Sequence, residues 1–174
     1  MKPTIDQIRS LGDFASVFRW KVIFVSLPTV GAAALPLADE LDLRCETATI
    51  PKTTNASVEI NIRGLKVKQP GITSFDHMLT LTFVETVDNT ISNFIKAWRE
   101  AIYSTKEGQS ANKENLEATI SLLRLNSKDE PIWQYTLHGC YLEDFDLGTL
   151  DGASPEVMRP SLTLSYDYFT DSSL

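Results

Sequence analysis

Cysteine is scarce in this 174-residue sequence, with only Cys45 and Cys140 present. Two thiols cannot staple a small scaffold, so a hydrophobic core must hold the fold, and both are expected to be reduced. Long hydrophobic runs are also missing. The longest, residues 22–27, is broken at Ser26 and far too short to span a bilayer, so no membrane anchoring is expected. The first residues, Met1-Lys2-Pro3-Thr4-Ile5-Asp6, lack the apolar segment of a secretory signal, which predicts folding in the cytoplasm. Basic charge is in deficit: 16 Lys and Arg face 23 Asp and Glu, for a net charge of −7. Proteins that grip duplex DNA carry a basic footprint to neutralise phosphates, and this chain as a whole has none.

Chemistry is sparse as well. Cys45, His77, His138 and Cys140 are the conceivable soft ligands, and His138 and Cys140 would share a strand face. Neither cysteine has a partner at zinc-site spacing, and nothing marks a nucleophile elbow or an oxyanion loop. The acidic cluster Glu143, Asp144, Asp146 and Asp151 lacks the ligand spacing of a calcium loop. No glycine-rich segment could cradle a phosphate. The expectation is a non-enzymatic protein without metal or cofactor.

Alternation dominates what remains. A composition of 43% hydrophobic and 22% charged residues suits one globular domain over residues 1–174. A short helix is predicted over residues 4–11, with Thr4 as its cap and Gly12 as its stop. Strands are predicted at 18–25, 43–50, 77–85, 116–125, 132–142 and 161–169, with a loop at 29–40. Residues 51–71 read as a long ribbon: Val58, Ile60, Ile62, Leu65 and Val67 alternate with polar residues around a bend at Gly64. The main helix is predicted at 88–104, capped by Asp88, with Ile91, Phe94, Ile95, Trp98 and Ile102 on one stripe. A polar loop follows at 105–115. The fold class is therefore mainly β, a β-sandwich with one flanking α-helix.

Charge is segregated along the chain. The ribbon carries Lys52, Arg63, Lys66 and Lys68 against Glu59 alone, whereas Glu143, Asp144, Asp146, Asp151 and Glu156 form an acidic stretch without a base before Arg159. These patches could meet between stacked copies, setting register more than affinity, or be two unrelated solvated faces.

Several segments, in order, resemble the tail tube proteins of contractile-tailed bacteriophages. Gly12-Asp13-Phe14-Ala15 follows the short helix, and residues 18–25 are similar to the family's first strand. Leu43-Arg44-Cys45-Glu46-Thr47-Ala48-Thr49-Ile50-Pro51 resembles its aliphatic-x-Cys-x-x-Ala-x-x-Pro segment. Phe75-Asp76, Val87-Asp88-Asn89, Leu137-His138-Gly139-Cys140-Tyr141 and the closing strand 162–168 occupy the corresponding later places. The loop at 29–40 and the extension 170–174 depart from the pattern.

The resemblance implies a structural subunit of the virion tail, made in the bacterial host, forming hexameric rings that share an inner β-barrel and stack into a hollow tube. It implies a sheath protein outside, baseplate and terminator proteins at the ends, and a tape-measure protein and then genomic DNA inside, without tight binding. A type VI secretion-type tube or a baseplate tube initiator are the neighbouring alternatives. The residues themselves favour such closure, because pairing exposed strand edges between copies removes edges altogether. The ribbon and residues 116–142 are the expected lumen wall.

Overall fold

The computed structural model describes Lys2 and residues 4–29, 38–104 and 106–174. Helix α1 (Ile5–Arg9) is closed by a capping box in which Thr4 and Gln7 exchange side-chain and backbone bonds. It buries none of its residues. Strand β1 (Trp20–Ser26) starts two residues later than its alternation suggests, leaving Phe18 exposed. The loop expected at 29–40 lies partly outside the described residues, and its end is helical. Helix α2 (Ala38–Arg44) replaces the start of the strand expected at 43–50, which survives only as β2 (Cys45–Ala48). The helix wins there because Leu41 buries against the core, while Glu40 bonds Arg44 one turn on at 2.6 Å.

The body is built from two sheets that share one strand. Strands β3 (Thr53–Ile62) and β4 (Leu65–Phe75) form a separate pair described below. Strand β5 (Met78–Phe83), helix α3 (Thr90–Ile102), helix α4 (Lys113–Leu116) and strands β6 (Ala118–Leu125), β7 (Pro131–Asp146), β8 (Ser161–Ser165) and β9 (Tyr168–Ser173) complete the chain. The first sheet runs β1-β6-β7-β9 and the second β7-β8-β5-β2, all antiparallel. Strand β7 belongs to both because it bends at Gly139, which has φ 68°. A methyl group there would collide with the Asp167 carboxylate, so the bend requires glycine twice over.

The strand expected at 161–169 is in fact two. It breaks at Tyr166 and Asp167, where the Asp167 N–H donates to His138 O at 3.0 Å and Lys113 Nζ donates to the Asp167 carboxylate at 2.5 Å. After the break, residues 168–173 cross to the first sheet as β9, so the supposed tail 170–174 is mostly sheet.

One core lies between these elements. Val22, Phe24, Ile120, Leu122 and Leu137 face it from the first sheet, and Leu79, Leu81, Phe83, Leu162 and Leu164 from the second. Helix α3 brings Ile91, Phe94, Ile95 and Trp98, all buried at helical spacing. Phe94 meets Phe24 edge-on at 6.3 Å, and Trp98 Nε1 donates to Leu116 O at 2.9 Å.

Asp88 does not cap α3. Asn89 occupies the cap position in a left-handed conformation, with no side-chain bond to the helix's N–H groups. Glu85, three residues before Asp88, does the capping: its carboxylate accepts from Ile91 N, Ser92 N and Ser92 Oγ. Burial opposes its ionisation, but the bonds from Ser92, Thr86 and Ile91 outweigh that and hold its carboxyl below the usual range.

Candidate assembly surfaces

The β3–β4 ribbon stands apart from the body. Its strands pair with each other from Thr53↔Phe75 to Ile62↔Leu65 and, among the described residues, with no other strand. Arg63 and Gly64, at φ 48° and 83°, make the two-residue turn, the left-handed geometry that matches hairpin twist. The expected bend at Gly64 is thus a reversal, and the ribbon extends past residue 71 to Phe75. A bulge in β4, where Gly71 and Ile72 stand opposite Ala56, adds local twist.

Register puts Val58, Ile60, Ile62, Leu65 and Val67 on one face, and Glu59, Asn61, Lys66 and Lys68 on the other. The apolar face is uncovered: Leu65 is 74% exposed, Ile62 62% and Val67 51%. A lone two-stranded hairpin is marginal in water, so this face calls for a partner surface.

The root of the ribbon is held firmly. Lys52 N donates to Asp76 Oδ2 at 3.2 Å, and the Tyr166 hydroxyl donates to Asp76 Oδ1. His77 Nδ1 lies 2.8 Å from Tyr166 O, and Phe75 packs edge-on against Phe169 at 5.4 Å. Burial first, and then the Asp76 carboxylate, push the Tyr166 phenol well above its ordinary range.

The cationic residues predicted to mediate stacking are distributed unevenly. Glu59 pairs with Lys66 at 2.5 Å and with Lys68 at 3.2 Å, so two of the four are partly neutralised within the ribbon. Among the described residues, Lys52 and Arg63 have no carboxylate at ion-pair distance. The acidic residues Glu143, Asp144 and Asp146 lie at the C-terminal end of β7 rather than in a loop, and Asp151 follows in the connection to β8. Asp146 and Asp151 accept bonds from Gly148 N and Ala153 N.

Register decides how the two patches are related. The ribbon leaves the body beside Met78, which pairs with Ser165, itself opposite Tyr141. Asp144 and Asp146 pair with Thr163 and Ser161, and Ser161 faces Thr82. The basic ribbon and the acidic stretch therefore occupy opposite ends of the second sheet. Periodicity could not reveal this, because it depends on which strands pair.

Other candidate chemistry is not assembled. Among the described residues no group of three His, Cys, Asp or Glu side chains could hold a metal. Burial pushes both Cys45 and Cys140 up to about 12, so neither is a ready thiolate. His138 stacks on Tyr168 with ring centres 4.7 Å apart. A groove of ≈ 480 Å³ under residues 15–19 is lined by Trp20, Ala48, Ile50, Leu122 and Tyr135, with Glu46 and Arg124 also on its wall. No described helix is long and apolar enough to cross a membrane.

Against this geometry, the family model described as "Phage tail tube protein" matches residues 13–171. The chain belongs to that family. It is a structural subunit of a phage tail tube, which agrees with the resemblance carried by its sequence segments. The fold is shared with contractile injection machines. It is similar to a chain of the PVC extracellular contractile injection system, in its sheath-tube complex in the extended state, at a TM-score of 0.64 and 15% identity, covering 99% of this tail tube chain and 100% of that one. It is also similar to a chain of the anti-feeding prophage baseplate, with a TM-score of 0.63, 15% identity and coverage of 92% and 97%. The PVC sheath/tube terminator structure aligns at 0.64, with 13% identity and coverage of 93% and 99%. No curated protein matches the tail tube chain.

Proposed function

We propose that copies of this tail tube subunit form six-fold rings that stack into the hollow core of a contractile tail, each ring seating its ribbons on the acidic end of the next. The supporting observation is that a basic, uncovered ribbon and an acidic stretch lie at opposite ends of one sheet. Opposed patches on one subunit give a head-to-tail contact, which generates an open stack rather than a closed dimer. Burial of the ribbon's apolar face supplies the affinity, and Lys52, Arg63, Lys66 and Lys68 facing Glu143, Asp144, Asp146 and Asp151 set orientation. A sheath surrounds the tube, a baseplate and a terminator close its ends, and the bore holds a tape-measure protein and then DNA. Assembly takes place in the host cytoplasm.

Negative-stain microscopy of purified protein tests the stack. Wild-type protein is expected to form rods. The double substitution Lys66→Glu with Lys68→Glu is expected to shorten or abolish them while far-UV circular dichroism stays unchanged. Rods of wild-type length from that variant would reject the electrostatic register.

A further inference from the structure

Spontaneous rearrangement of a backbone needs a side-chain carboxyl, a following peptide nitrogen that can reach it, and room for both. One Asp in this sequence, Asp151, is followed by glycine, and no Asn is. Both residues are exposed, in the connection between β7 and β8. Ala153 N donates to Asp151 Oδ1 at 3.0 Å and Ser154 N to Asp151 O at 3.3 Å, so a turn folds around the Asp151–Gly152 peptide. The first of these bonds curls the carboxyl forward over that peptide. Gly152 N sits inside the turn and, among the described residues, donates to no acceptor. A Cβ at residue 152 would meet no heavy atom within 4 Å, so the peptide has space to move. Comparable residues elsewhere each lack a condition. Asp146 makes the same kind of turn, with Gly148 N on its Oδ1 at 2.8 Å, but Leu147 follows and its side chain crowds the nitrogen. Asn126 precedes the small Ser127, yet bonds from Lys128 N and Glu130 N and to Glu130 Oε2 fix its side chain. Asp171 precedes Ser172 inside β9, where pairing with β7 holds the backbone extended.

We infer that Asp151–Gly152 is a site of spontaneous isoaspartate formation and, resting on the stacking reading above, that it ages subunits left outside the tube. Gly152 N attacks Asp151 Cγ, and the carboxyl hydroxyl leaves with the amide hydrogen as water, closing a succinimide ring. Water then adds to either ring carbonyl. Opening at the former side-chain carbonyl restores aspartate. Opening at the former main-chain carbonyl routes the backbone through Cβ and Cγ and leaves the α-carboxylate as the side group. Solvent water is the one co-reactant, and nothing is oxidised or reduced. The charge is kept, but the main chain gains a methylene and the carboxylate moves. That shift falls within Glu143, Asp144, Asp146 and Asp151, the stretch proposed to receive the next ring's ribbon, where position sets register. In a stack the incoming ribbon restrains the turn. In a free subunit the turn stays open to solvent, among the mobile segments where such chemistry concentrates.

The test holds wild-type and Gly152→Ala protein through prolonged warm incubation, as monomers and separately as rods. Alanine fits without strain, since its Cβ meets nothing and residue 152 lies outside the left-handed region. Methyl transfer by an isoaspartate-specific carboxyl methyltransferase counts the product. Loss of cleavage before residue 151 by an aspartate-specific endoproteinase locates it. Wild-type monomer is expected to gain methyl-accepting sites at residue 151 about tenfold faster than Gly152→Ala, a modest difference in barrier. Equal gain in the two proteins, or undiminished cleavage before residue 151, overturns the modification site. Aged wild-type monomer is then expected to build fewer rods than fresh protein, while aged Gly152→Ala builds as many as when fresh. Wild-type rods are expected to stay unmodified. Rods that gain isoaspartate as fast as monomers, or aged wild-type protein that assembles as readily as fresh, overturn the link to assembly. If fresh wild-type protein forms no rods, the stacking reading fails, and the methyl count in monomers still decides the modification site.

Discussion

Strand pairs β3–β4 and β5–β8 are both antiparallel and both alternate, yet they end in opposite environments. In the second pair Leu79 faces Leu164 and Leu81 faces Leu162, all 1% exposed or less. In the first, Ile62 faces Leu65 with both largely in solvent. Alternation thus assigns a residue to a face, but burial depends on whether another element covers that face. Here the shared core covers one pair, and among the described residues no element buries the apolar face of the other. The uncovered pair also carries Lys66 and Lys68 on the face opposite its apolar residues.

Substitutions should divide along the same line. Trp98→Ala, in the covered region, is expected to cost the monomer about 3–5 kcal/mol in urea unfolding, since it opens a cavity and orphans Leu116 O. Gly139→Ala should cost about 1–3 kcal/mol by the same measurement, because it strains the bend and displaces Asp167 from Lys113. Glu85→Gln should remove about 1 kcal/mol at neutral pH through the weakened helix cap. The Glu85 carboxyl is depressed in the folded state, so its contribution is fully present above the unfolded pKa of about 4.3 and is lost as pH falls through the lower folded value. Wild-type and Glu85→Gln unfolding midpoints should therefore converge in acid.

On the ribbon, Leu65→Ala and Val67→Ala should each change monomer stability by less than about 0.5 kcal/mol while weakening rod formation. A cost of more than about 1 kcal/mol in the monomer would mean that the ribbon packs on its own body, and the contrast would be lost.

Much of the architecture was legible beforehand. The stripe Ile91, Phe94, Ile95, Trp98 predicted a helix, which is observed at Thr90–Ile102. The run Leu79, Leu81, Phe83 likewise predicted a strand with one buried face. The errors fell where a distant group overruled a local signal. Asp88 has a good cap's chemistry, but Glu85 reaches the same N–H groups from a more buried position. Residues 161–169 alternate without interruption, yet His138 and Lys113 draw Asp167 out of line and split the strand. The charged patches were visible as composition, whereas Glu59's pairing with Lys66 and Lys68 was not, because it needs the hairpin register.

Periodicity, turn chemistry and charge order are properties of neighbouring residues, and the backbone's own geometry converts them into strands, a helix, the Arg63-Gly64 reversal and a basic arm. Tertiary structure alone decided that β7 serves two sheets and that the arm and the acidic stretch lie at opposite ends. Each of those outcomes depends on pairing between segments far apart in the chain, and no local pattern encodes which of several compatible strands will meet.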